Sequence, residues 1–226
     1  MVVSIHQPAY LPWLGYLARI ACSDLFIFLD TVQFEKNSFI NRNRIKTPNG
    51  PLWLTVPVCL KGHVSKVLTD MRISNQNDWV RKHLRSIEQH YNHATMFSEH
   101  FPTLSAEFSK NHSLLTELCF DQLHFWLREL CIENKIIRAS DIPVNEKKSD
   151  LILSLCRYVG ANIYLSGPMG RYYLKEDDFI EKGIQIKYYN YVHPVYYQLY
   201  GNFIPDLSIV DYWMNCSDPS LFRRSL

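Results

Sequence analysis

The spacing of apolar positions changes character twice along the chain and divides it into three zones. In the first, about residues 1–72, Met1-Val2-Val3 reads as a short strand. It gives way to the polar and aromatic run Ile5-His6-Gln7-Pro8-Ala9-Tyr10-Leu11-Pro12-Trp13-Leu14-Gly15-Tyr16, and a helix bearing Leu17, Arg19 and Ile20 follows. Leu25-Phe26-Ile27-Phe28-Leu29 is unbroken and of strand length, the pattern of a strand buried on both faces, and Asp30 closes it. A further β segment, Leu52-Trp53-Leu54-Thr55-Val56, follows the turn signal Asn49-Gly50-Pro51 and stops at Pro57.

Over about 75–135 the period becomes helical. Asn77 is placed to cap a helix with Trp79, Val80, His83, Leu84, Ile87 and Tyr91 on one stripe. A longer helix carries Leu114, Leu115, Leu118, Leu123, Trp126, Leu127 and Leu130. Strands then return. Ile136-Ile137-Arg138-Ala139 leads into a helix capped by Ser149 and stopped by Gly160. The strands Asn162-Ile163-Tyr164-Leu165 and Ile184-Gln185-Ile186-Lys187-Tyr188 complete the zone. Strand–helix alternation with short links predicts an α/β, Rossmann-like, mostly parallel sheet. The two middle helices form an insertion at 75–135 within a single domain spanning 1–226.

Composition narrows the function. A net charge of +2 excludes bulk electrostatic attraction to nucleic acid, so nucleic acid is an unlikely partner. No run approaches the roughly 20 apolar residues of a membrane helix, and the first residues already read as strand rather than leader. Six scattered cysteines without a Cys-x-x-Cys pair suit buried free thiols in a reducing compartment. The expectation is a cytoplasmic protein without membrane insertion.

Four clusters carry candidate chemistry. The first is the two-proline loop with His6, Gln7, Tyr10 and Gly15, set after a strand where α/β proteins meet ligands. His6 is either a proton-transfer group or a hydrogen-bonded connector residue. The second joins Asp30 and Gln33, at the end of a strand, to Asn41-Arg42-Asn43-Arg44. Its guanidinium forks and amides suit phosphate or carboxylate. If that segment is a strand, Asn41 and Asn43 face one side and Arg42 and Arg44 the other, so one pair at most lines a site. The third, Ser166-Gly167-Pro168-Met169-Gly170-Arg171, offers a phosphate cradle with Arg171 as counter-charge, although it matches neither a Walker nor a Gly-x-Gly-x-x-Gly motif. The fourth runs from Tyr191 through His193, Tyr196 and Gln198 to Asp211, and either walls a pocket or fills the core. There Ser208 and Asp211 form a capping-box pattern, which makes Asp211 structural. No metal-ligand spacing stands out, and no cofactor is nominated.

Together these pieces resemble the WbqC-like protein family. The resemblance rests on Gln-Pro-x-Tyr-Leu-Pro-Trp-Leu-Gly-Tyr (7–16), Ser-Asp-x-Phe-x-Phe-Leu-Asp-x-Val-Gln-Phe (23–34) and Asn-Arg-Asn-Arg-Ile-Lys (41–46). Trp-Leu-Thr-Val-Pro (53–57), Tyr-Leu-Ser-Gly (164–167) and Pro-x-Leu-Ser-Ile-x-Asp (205–211) extend it over nearly the whole chain. The resemblance implies a role in O-antigen or related surface-polysaccharide biosynthesis, with aminoacyl (glycine) transfer to a sugar as the suggested reaction. A fainter likeness links the chain to the nucleotidyltransferase-like fold of pantothenate synthetases. Their loop carries His-x-Gly-His, whereas the comparable stretch here ends Gly15-Tyr16 and lacks both imidazoles.

The resulting expectation is a transferase acting on a small molecule: a sugar nucleotide, a nucleotide or an activated amino acid. His6 and Asp30 are the candidate catalytic residues. Gln7, Tyr10, Gly15, Gln33, Asn41, Arg42, Asn43, Arg44, Ser166, Gly167, Arg171, Tyr196 and Gln198 are the candidate binding residues. Alternatives are a nucleotidyltransferase-like enzyme that activates a carboxylate, and a non-catalytic sugar-nucleotide binding module.

Overall fold

The strand formed first in the chain is the middle of the sheet. A computed structural model describes residues 1–60, 66–74, 77–216 and 218–222. Strands β1 (Val2–His6), β2 (Leu25–Phe28), β5 (Lys135–Arg138), β6 (Ile163–Ser166) and β7 (Gln185–Tyr188) form a five-stranded parallel sheet in the order β5-β2-β1-β6-β7. Helix α1 (Leu14–Ala21) connects β1 to β2, α5 (Lys148–Tyr158) connects β5 to β6, and α6 (Glu176–Glu181) connects β6 to β7. The Rossmann-like α/β class read from the alternation is the class observed.

Alternation across the strands sorts the core into two layers. Phe26 and Phe28 of β2 face α1 and the middle helices, while Leu25 and Ile27 join Val3 and Ile5 against Leu151, Ile152 and Leu155 of α5 and Phe179 of α6. The unbroken apolar run at β2 is therefore explained, because both of its faces are covered. On the first face β1 carries the small Ser4 between Val2 and His6, and Ser4 hydrogen-bonds Ser23 at 3.0 Å.

Between β2 and β5 the chain forms an antiparallel hairpin, β3 (Arg42–Thr47) and β4 (Gly50–Thr55), then α2 (Trp79–Tyr91), α3 (Phe97–Phe108) and α4 (Leu115–Glu129). Gly50 turns the hairpin at φ 98°. There are three helices here rather than the expected two. Pro102 lies inside α3 and breaks the helical reading of that stretch, yet Leu104 and Phe108 still bury its apolar stripe. Residues 75 and 76 of the expected helical stretch lie outside the described residues.

Two expected caps are corrected. Asp78, at φ 42°, occupies the cap of α2 in place of Asn77, and its carboxylate pairs with Arg81. Ser149 sits inside the first turn of α5, and its hydroxyl accepts from the Lys175 amide at 3.0 Å. Gly160, at φ 72°, ends the α5 turn as expected. Helix α7 (Ile209–Asn215) is capped by Ser208, whose hydroxyl accepts from Val210 N, but the Asp211 carboxylate turns inward instead of closing the box. All six cysteines are free; Cys59 and Cys131 are exposed rather than buried. Among the described residues no helix is long and apolar enough to cross a membrane.

Candidate functional site

The register of β1 shows where the sheet opens. It stays paired with β2 through His6 and Phe28, but its pairs with β6 are Val2–Ile163 and Val3–Tyr164. Beyond those pairs the two strands part. This is also the point where the strand order reverses, so a crevice forms at the carboxyl ends of β1 and β6. A cavity of about 530 Å³ occupies it, within the size range of small-molecule sites.

The loop after β1 forms one wall and is held rigidly. Leu11 is fully buried with φ 44°, a left-handed conformation that costs a bulky residue about 1–3 kcal/mol. Three elements hold the loop there. Asn43 Nδ2 of β3 donates to Leu11 O at 2.7 Å, Tyr10 N donates to Phe39 O at 3.1 Å, and Ile209 N of α7 donates to Pro12 O at 2.7 Å.

His6 stands half-buried at the cavity wall with defined ring nitrogens. Nδ1 lies 2.9 Å from the Gln7 carbonyl, which can only accept, so Nδ1 carries the proton and Nε2 keeps its lone pair. Trp13 and Tyr16 meet the ring edge-on, with centroids 5.7 and 4.9 Å away. Burial, and next the Arg19 charge, lower the pKa to about 3 against the pull of the Gln7 carbonyl. The imidazole is therefore neutral at physiological pH.

Arg19 of α1 lines the same cavity and is 7% exposed. Among the described residues no carboxylate pairs with it, and its buried Nε has no hydrogen-bond partner. Burial lowers its pKa, partly offset by the phenols of Tyr164, Tyr16, Tyr173 and Tyr189. Its side chain runs past Gly167 so closely that a Cβ there would lie 2.6 Å from Nη1. Gly15 plays a similar part across the cavity, where a Cβ would sit 2.8 Å from the Tyr191 ring. The lining contains no acidic residue.

The sequence candidates divide by place. His6, Gln7, Gly15 and Gly167 line the cavity, and Tyr191 closes it from the fourth cluster. Ser166, buried at the end of β6, donates to Gly167 O at 3.0 Å. The others lie elsewhere. Tyr10 is buried, with its hydroxyl 2.8 Å from His83 Nδ1 on α2. Both Asp30 oxygens accept from Ser140, at 2.9 and 2.8 Å, which ties the ends of β2 and β5 together. Gln33 is exposed and bridges to Val67.

Strand β3 and Asn41, the residue before it, divide as the alternation requires. Asn41 and Asn43 point inward, Asn41 Nδ2 donating to Val56 O at 2.9 Å. Arg42 and Arg44 lie over Trp53, 4.2 and 5.5 Å from the ring centroid. Arg171 covers Tyr188 at 4.0 Å. Tyr196 and Gln198 belong to a buried polar knot around Asp211, which accepts from Tyr91, Tyr196 and Gln198 at 2.8 Å each. Lys46 joins it through Gln198 Oε1 at 3.1 Å. One pocket thus gathers the first, third and fourth clusters in part. The second supplies the scaffold beneath it.

Sequence reasoning noted Arg19 without giving it a role and passed over Tyr164, Tyr173 and Tyr189 as lining residues. One signal was available: a charged residue inside Leu17-Ala18-Arg19-Ile20-Ala21, on a helix otherwise apolar enough to be core.

The sequence profile of the WbqC-like protein family matches residues 7–221. Uncharacterized protein Rv1507c of Mycobacterium tuberculosis (strain ATCC 25618 / H37Rv) is 34% identical over 215 residues, which span 94% of this chain and 93% of that protein. No solved structure matches the chain significantly.

Proposed function

The chain belongs to the WbqC-like protein family, and from that premise we propose that it is a cytoplasmic transferase of surface-polysaccharide biosynthesis working in the pocket between β1 and β6. Its substrate would be a small molecule, with aminoacyl (glycine) transfer to a sugar as the reaction. The observation that carries this reading is His6 in the pocket wall, its Nδ1 pinned by Gln7 O and its Nε2 free. In this reading an acceptor hydroxyl or amine gives its proton to Nε2 as its oxygen or nitrogen attacks the donor's activated carbonyl. The imidazolium so formed is strongly acidic in this setting and passes the proton to the departing group. Gln7 would orient the acceptor, and the tyrosine walls would exclude water.

A panel of sugar nucleotides, nucleotides and activated amino acids tests the reading by melting temperature, because specific binding to the native state must raise it. The expected result is stabilisation by one donor class, and His6→Ala that melts normally but no longer supports polysaccharide synthesis. A folded His6→Ala protein that sustains synthesis would refute the role of His6. The parallel sheet with its crevice at the strand reversal also favours a second reading, activation of a carboxylate with a nucleotide triphosphate. Pyrophosphate release on incubation with candidate acids distinguishes it.

A further inference from the structure

Arg19 is costly for this protein to keep. The residue is only 7% exposed, its Nε has no hydrogen-bond partner, and among the described residues no carboxylate pairs with it, so its charge is held away from water with little to offset the loss. Its neighbours in sequence, Ala18 and Ile20, are buried as well, so this turn of α1 is shielded from water all round. The surroundings offer Arg19 no anion: the Tyr16 and Tyr164 phenols are driven far above their usual range by burial and stay neutral.

A second feature meets it in the same cavity. Helix α1 starts at the carboxyl end of β1, and no side chain caps it. Among the described residues the Gly15 amide, on the cavity wall, donates to no acceptor. Free amides at a helix start concentrate partial positive charge on whatever lies in front of them. A guanidinium fork and a helix start thus converge on one acid-free space. Their summed charge, about one and a half units, suits a phosphoryl group with several oxygens better than a singly charged carboxylate.

We propose that Arg19 and the amino end of α1 form a phosphoryl-binding site in the β1–β6 pocket. The substrate class is accordingly a phosphate- or diphosphate-bearing molecule. This deepens the transferase reading by using the same pocket, but it does not depend on which group is transferred. Gly167 belongs to the device, since only a residue without a side chain lets the guanidinium pass at 2.6 Å from the Cβ position.

Inorganic pyrophosphate is the probe, and the full chain is the protein. At about a hundred-fold excess over Kd it should raise the wild-type Tm by about 5–10 °C. Arg19→Met should melt higher than wild type without ligand and lose the pyrophosphate response. Gly167→Ala keeps the charge but displaces the guanidinium, and should weaken the response about tenfold in Kd. Pyrophosphate that stabilises neither protein, or stabilises wild type and Arg19→Met equally, overturns the site. A lost response in Arg19→Met with polysaccharide synthesis intact in cells supports the site and refutes the transferase reading, so the two claims fail separately.

Discussion

The side-chain amide of Asn43 donates to the carbonyl of Leu11 at 2.7 Å and so holds a buried leucine in left-handed backbone at φ 44°. The hairpin thereby sets the shape of a loop it does not border in sequence. Asn43→Ala should cost about 1–3 kcal/mol, the penalty of leaving a buried carbonyl unpaired, and should release the strained turn. Urea denaturation measures the loss. An Asn43→Ala protein as stable as wild type would show that the loop holds its own conformation.

Gly15 limits how closely Tyr191 packs on α1. A methyl group there meets the Tyr191 ring at 2.8 Å, so Gly15→Ala should push residues 189–191 outward at a cost of about 1–3 kcal/mol. Pyrophosphate affinity should fall by less than in Gly167→Ala, because the guanidinium is untouched. Unchanged Tm together with unchanged affinity would mean that the tyrosine wall yields freely.

Acid should destabilise the fold through two neutral histidines. Burial lowers the His83 pKa to about 4 and the His6 pKa to about 3, both from an ordinary 6.5. Below 6.5 the unfolded chain binds a proton on each ring that the native state refuses, so stability falls as pH drops. Each loss levels off once the pH passes the folded pKa. For His83 the loss is on the order of 2 kcal/mol by about pH 4.5. His83→Gln should flatten the Tm profile over that range. A profile as steep in the variant as in wild type would assign the acid loss to other groups.

Pyrophosphate should also change the titration of His6. The Arg19 charge is one of the two forces that depress it, and a bound anion opposes that force. In a proton NMR titration the His6 signal should stay neutral down to low pH without ligand and shift upward in pKa with pyrophosphate. In Arg19→Met the ligand-free His6 pKa should already lie higher, and pyrophosphate should not move it.

Thiol chemistry gives an independent check of the packing. Cys59 and Cys131 are exposed and should react rapidly with an aromatic disulfide reagent, while Cys119 and Cys156 should wait for unfolding. Burial pushes the Cys156 thiol up to about 12 and Cys119 higher still, which removes the reactive thiolate as well as access. Fast labelling of Cys119 would contradict its place on the buried face of α4, where its thiol donates to Ile40 O at 3.4 Å.

Much of this architecture was legible because it depends on local periodicity. The run 25–29, the helix stopped by Gly160 and the strand at 162–165 all state their period within a few residues. Helix α3 did not, because Pro102 interrupts a stripe that only packing against α2 and α7 completes. The site was half legible. His6, Gln7 and Gly167 are recognisable from their position after strands, which is a topological rule. Whether Asn43 or Arg44 faced inward depended on register with Leu54 and Trp53, and the sequence left both options open. Asp30 looks catalytic by type and Tyr196 and Gln198 look like binding residues, but Ser140 and the Asp211 knot occupy their polar atoms. Residue chemistry marks what a side chain can do; only its partners decide whether it is free to do it.

The central position of β1 also sets a timetable. His6 is made long before β6, which starts at Ile163, and the tyrosines at 189 and 191 follow later still. At about 5–20 residues per second, roughly ten seconds or more separate the two walls during synthesis. Until then one edge of the first strand must wait unpaired. A ribosome that stops before Tyr189 therefore releases a chain without the second wall of the pocket, and such shortened products cannot compete with the finished protein for its ligand.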